Sequence, residues 1–203
     1  DATSAHDALA RVDVTYDRRE AVTGPAAAGP AVHDGAPDNV AFEWTAGDEA
    51  ATDRAIAGAD EQFTTTVAQN RVIPAASEPR GTVATYDEGT GRLTLEFPSQ
   101  NPHVVRRYLA PALDVPESKL RIQAPAIGGG FGSKLHPYPA PVLAGWCAKR
   151  LGRPVKWVAP RSKDMQSTRH ARHQRIHAEV GVDDDGTIAG IALESHAPIG
   201  AYL

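Results

Sequence analysis

The sequence predicts an α+β fold, on three observations. Alternating apolar and polar stretches recur as hairpins, amphipathic helical segments lie between them, and the two kinds lack the strict strand-helix-strand rhythm of a doubly wound parallel sheet. The 203 residues suit one ordinary domain or a domain and part of another. With 41% hydrophobic and 23% charged residues the chain can bury a core, which excludes a disordered tail. No run of about 18 apolar residues occurs, so the sequence contains no membrane span.

The elements follow in order. Residues 8–16 end in an apolar-polar alternation that predicts a half-buried strand. Gly, Pro and Ala then crowd the chain, and 21–39 reads as a linker. The acidic stretch 47–61 places Ala55, Ile56 and Ala59 at helical spacing, and 62–72 is a strand candidate. Residues 82–86 and 92–97 alternate around a Gly-containing turn, a hairpin signal. Asn101 is a candidate N-cap with Pro102 at the first helical position, and Val104, Val105, Tyr108, Leu109 and Ala112 form an apolar stripe, so a helix is predicted to about Leu113. A short strand, 120–124, leads into the glycine-rich loop 128–134, and 142–151 is a helix stopped by Gly152. Residues 154–159 are a strand, and 174–182 with 187–197 make a second hairpin around 183–186. There is no internal repeat.

Charge is uneven: residues 1–100 hold 7 basic and 17 acidic groups, residues 101–203 hold 14 and 8. The basic half fits a phosphate-bearing cofactor or an acidic docking segment; without aromatics interleaved among its cations it argues against nucleic acid. The single cysteine, Cys147, excludes a disulfide framework, fits a reducing, cytoplasmic compartment and is expected to be buried within an apolar run. No secretion signal opens the chain. The start at Asp1 and the stop at Leu203 directly after an alternating stretch read as cuts in a longer chain.

The densest chemical signal is Ile127-Gly128-Gly129-Gly130-Phe131-Gly132-Ser133-Lys134 after a strand. Consecutive glycines let backbone N–H groups converge on an anionic ligand. A P-loop fails because Ser133 precedes the lysine, a dinucleotide fingerprint fails at position 133, and the kinase loop fails because Lys134 stands where its valine would. A tight turn alone is the plainer alternative, but Phe131 amid glycines suggests a ring wedged into packing while neighbouring amides stay free to donate. His170, His173 and His177 make a poor zinc site: in a strand only His173 and His177 share a face, and no Cys or carboxylate completes the set. Glu78-Pro79-Arg80 reads as a structural ion pair more readily than an active-site one.

Four segments, 74–86, 99–107, 124–134 and 152–157, together resemble the large subunits of molybdenum hydroxylases: the xanthine dehydrogenase, aldehyde oxidase and aerobic carbon monoxide dehydrogenase superfamily. They stand in the family's order and spacing, and the likeness runs over essentially the whole chain. The resemblance implies mixed sheets and helices of the molybdopterin-binding type. It divides the chain into 1–20, the tail of a preceding hammerhead-like domain, the linker 21–39, and 40–203, the first part of the molybdopterin-binding domain. It implies a molybdenum-molybdopterin cofactor, of the cytosine dinucleotide form, held by Gln100, Gly129, Gly130, Phe131 and Gly132, with Gln100 hydrogen-bonding an oxygen ligand of the metal.

Such proteins hydroxylate a small substrate with oxygen from water and pass electrons to iron-sulfur clusters and FAD, here expected on an iron-sulfur and an FAD-binding partner subunit in a homo-oligomer of heterotrimers. The resemblance assigns no catalytic residue within the chain: the general-base glutamate is expected beyond Leu203, so the 203 residues alone are expected to be inactive. Leu135 stands where xanthine-type members carry a substrate-binding glutamate, which argues against xanthine and leaves aldehydes, N-heterocycles or carbon monoxide. Ala140 and Pro141 replace the family's usual carboxylates, and Ala171 a usual glycine. The alternative is a scaffold or subunit-interaction piece of the same fold without cofactor.

Overall fold

The computed structural model describes residues 2–24 and 29–200. Residues 25–28 of the predicted linker, Asp1 and Leu203 lie outside the described residues. The chain divides into two compact units, residues 70–172 and the remainder.

Residues 70–172 are built on a four-stranded sheet. Strands β2 (Gly81–Asp87) and β3 (Arg92–Glu96) form the predicted hairpin, β5 (Val155–Val158) pairs antiparallel with β2, and β4 (Leu120–Gln123) pairs parallel with β3. A parallel neighbour needs a crossover. It is supplied by α3 (Pro102–Ala112) and a single 3-10 turn, Glu117–Lys119. Alternation turns Leu93 and Leu95 to one face, where α3 and α4 (Pro139–Leu151) cover them; both leucines are fully buried, with Ala84, Val105, Leu109, Leu113, Ala144 and Ala148 around them. Gly152 ends α4 in the left-handed conformation, as expected.

Within this unit two expectations are corrected. Asn101 makes no side-chain cap; the amide instead donates to Ser99 Oγ, and Pro102 at the helix start supplies the preset backbone angle. A helix absent from the sequence reading, α5 (Arg161–Ser167), follows Pro160. Cys147 is only half-buried, because its neighbours Leu143 and Trp146 lie toward the exposed side of α4.

The other unit carries α1 (Ala2–Leu9), α2 (Glu49–Gly58) and a three-stranded sheet of order β1-β6-β7, formed by β1 (Glu61–Val72), β6 (Ala171–Val182) and β7 (Ile188–His196). The ends of β1 and β6 pass into the residues of the first unit. The strand expected over 8–16 does not form: Ala2–Leu9 is helical, and Val12, Val14 and Tyr16 are exposed and pair with no strand among the described residues. Helix α2, capped by the Asp48 side chain on the Ala51 amide, lies on the β6–β7 hairpin where Gly181 faces Gly190. A Cβ at Gly181 would stand 2.8 Å from Ile56 Cα, so the glycine pair makes the seat for the helix.

Candidate functional site

The topology gathers four segments at one end of the four-stranded sheet. Because β3 and β4 are parallel, residues 97–100 and 124–134 leave it side by side, joined by the Phe97 amide donating to Gln123 O at 3.0 Å. Because β2 and β5 run opposite to each other, 76–80 enter and 159–164 leave at that same end, with Gly81 opposite Val158. The carboxyl ends of parallel strands are where α/β folds commonly build ligand sites.

There the structure brings Gln100 to the glycine loop. Its amide donates to Lys134 O at 2.9 Å, and its Oε1 accepts the Gly132 and Lys134 amides at 3.1 and 3.2 Å. With the oxygen committed, Nε2 remains as the donor end, and among the described residues it has no acceptor. The amides of Gly129, Gly130 and Phe131 likewise have none among the described residues, whereas those of Gly128 and Ser133 are taken by Glu78 Oε2 and Gly130 O. A Cβ at Gly130 would lie 2.5 Å from the Gln100 carboxamide, so only glycine allows this approach.

Phe131 departs from expectation. The ring is 71% exposed, not wedged into packing, and the residue sits at φ +50°. The inner side of the loop is already occupied by Gln100, Glu78 and Lys134, which leaves the ring outside, over Gly129. A left-handed non-glycine residue costs about 1–2 kcal/mol. Leu135, 38% exposed, leaves the loop on the turn closed by its amide and Gly132 O.

Glu78 and Arg80 do not pair with each other. Lys134 is 3% exposed and donates through Nζ to Glu78 Oε2 at 2.8 Å and Glu78 O at 2.9 Å. The Glu78 carboxyl is held below its ordinary pKa: burial works to raise it, and the Lys134 and Gly128 hydrogen bonds with the Lys134 charge outweigh that. Arg80 binds Asp164 at 2.8 Å and Ser167 at 2.6 Å and stacks 3.9 Å over the Tyr138 ring. Tyr138 in turn donates to Ser133 O at 2.6 Å. Arg161 holds the carbonyls of Ala76 and Ser77. Asp164, Tyr138 and Arg161 were missed by sequence reasoning, since nothing local marks partners more than 50 positions away; the Pro160 helix start was the only available signal. Burial, with the Arg169 charge, keeps His136 below its ordinary pKa.

His177 lies 3.1 Å from Thr66 and 3.5 Å from Glu179. Among the described residues no three His, Cys, Asp or Glu side chains converge as a metal-binding set.

The family model described as "Molybdopterin cofactor-binding domain" matches residues 32–203. The chain is 37% identical to the carbon monoxide dehydrogenase large chain of Hydrogenophaga pseudoflava, over 98% of its own length and 27% of that protein's. It is 32% identical to the nicotine 6-hydroxylase large subunit of Paenarthrobacter nicotinovorans, over 96% and 23%. Among solved structures, a Cu,Mo-CO dehydrogenase matches with a TM-score of 0.84 at 30% identity, over 95% of this chain and 26% of that one. The aldehyde oxidoreductase of Desulfovibrio gigas matches with a TM-score of 0.82 at 26% identity, over 95% and 21%. The chain thus spans about a quarter of the length of these relatives.

Proposed function

Since the chain belongs to the molybdopterin cofactor-binding domain family, we propose that it forms one wall of the cofactor site of a molybdenum hydroxylase large subunit. The observation that carries this is the group of donors left without acceptors among the described residues: the amides of Gly129, Gly130 and Phe131 beside Gln100 Nε2. They suit an anionic, oxygen-rich ligand, since backbone amides favour negative charge without adding a cation. Gly132 contributes through its bond to Gln100, which orients the carboxamide. The cofactor, when bound, supplies the redox chemistry; this chain binds and orients it. Lys134 takes no part in binding the anion, because it is buried on Glu78.

In this reading the cofactor is the cytosine dinucleotide form, electrons leave through iron-sulfur and FAD-binding partner subunits in a homo-oligomer of heterotrimers, and the protein works in the cytoplasm. The substrate is an aldehyde, an N-heterocycle or carbon monoxide. Leu135 supports the exclusion of xanthine, because an aliphatic side chain at the loop exit offers a purine no hydrogen bond. The division into 1–20, 21–39 and 40–203, with the general base supplied from outside these residues, belongs to the same proposal. Among the described residues no helix is long and apolar enough to cross a membrane. Purification of the holoprotein followed by metal and pterin analysis tests the reading: about one molybdenum and one pterin per chain are expected, and a folded protein repeatedly free of both would leave a scaffold of the same fold.

A further inference from the structure

We infer that Glu78 is a positioning residue for the cofactor, acting through the glycine loop rather than on the cofactor itself; this rests on the cradle reading above. The loop has two ends, and Glu78 holds both. At the first, Glu78 Oε2 accepts the Gly128 amide at 2.9 Å and the Glu78 amide donates to Gly128 O at 3.1 Å. At the second, the same Oε2 and the Glu78 carbonyl both accept from Lys134 Nζ. Between these anchors lie Gly129, Gly130 and Phe131, the residues whose amides have no acceptor among the described residues. One carboxylate oxygen therefore sets the span across which those amides are presented.

The Lys134 side chain is 2% exposed, so its charge has no access to a ligand, and its contribution is to draw the loop end onto Glu78. The neighbours of Glu78 are fixed as well: Arg161 binds the carbonyls of Ala76 and Ser77, and Arg80 is locked on Asp164. The carboxylate is thus carried on a rigid segment and can impose its position on the loop. Groups that orient a metal or cofactor ligand from behind are commonly worth 10- to 100-fold in affinity or activity.

The experiment compares molybdenum per chain and thermal unfolding in the holoenzyme and three variants. Glu78→Ala removes the carboxylate's bond at each end and leaves the two main-chain bonds, but it strips a buried ammonium of its counter-charge, which by itself destabilises. Glu78→Ala with Lys134→Met removes the stranded charge as well. Glu78→Gln with Lys134→Met restores an acceptor for the Gly128 amide at the same charge. The double variants are expected to unfold near the temperature of the unaltered protein. The Ala double variant should retain molybdenum about 10- to 100-fold more weakly, and the Gln double variant should recover a large part of that loss.

Equal molybdenum in the two double variants, or full molybdenum in Glu78→Ala, would overturn the assignment and leave the pair a purely structural one. An unaltered holoenzyme without molybdenum or pterin would instead bring down the cradle reading, and this inference with it.

Discussion

Gln100 uses its oxygen inside the protein, on the Gly132 and Lys134 amides, and this refines the variant that best probes it. Gln100→Ala would cost the loop two acceptor bonds as well as the donor, whereas Gln100→Glu keeps the oxygen and exchanges the N–H groups for a second oxygen and a negative charge. Turnover per molybdenum in Gln100→Glu should fall at least on the order of 10² to 10³, the usual loss for one preorganised donor, while the added charge beside an anionic ligand lowers molybdenum per chain by a smaller factor. Unaltered turnover per molybdenum would show that Nε2 is not used. Gly130→Val should do the opposite, emptying the site, because a side chain there meets the Gln100 carboxamide. Glu78 makes a second expectation, on pH. Its folded pKa lies below the ordinary glutamate value, so its stabilising effect is fully present above that ordinary value and is lost as pH falls through the lowered one. Urea unfolding between pH 6 and 3 should therefore show a stability loss that is smaller in Glu78→Gln; equal slopes would refute it. Gln100 and the glycines were legible in the sequence because a motif marks them. The inward turn of Lys134 and the outward turn of Phe131 were not, because each depends on which neighbour already occupies the inner side of the loop.

At the level of elements, periodicity was legible wherever a partner was close in sequence. Both hairpins, α2, α3 and α4 stand within a few residues of their predicted bounds. The two misread elements have separate causes: alternation over 8–16 is equally good for a strand and for an exposed segment until a pairing edge is supplied, and the seven residues of α5 are too few to show a stripe. Packing gives the predictions here. Leu95→Ala, at 0% exposure between the sheet and its helices, should lower the unfolding free energy by about 2–5 kcal/mol in denaturant titration. Gly190→Val should cost about 1–3 kcal/mol by driving a side chain into Ile56 and Ala55, while leaving molybdenum content largely intact. Gly190→Val as stable as the unaltered chain would mean that α2 is not seated on the glycine pair.

For the molecule as a whole, the α+β class was readable from the mixture of patterns, but the meeting of residues 76–80, 97–100, 124–134 and 159–164 was not, since it follows from the order of strands. The chain alone, offered carbon monoxide or an aldehyde with an artificial electron acceptor, should give no reduction of that acceptor, because it supplies one wall and no assigned general base; turnover would mean that these residues hold a whole active site. The parallel pairing of β3 with β4 also bears on the order of events during folding. The β2–β3 hairpin can close early from local contacts, but β4 joins only after the chain has looped through α3, and such non-local pairing is slow. Until it joins, Gln100 and Glu78 have no loop to grip. The cradle is therefore a late product of folding that cannot act as its template, and a chain halted at the hairpin stage would have nothing with which to receive a cofactor.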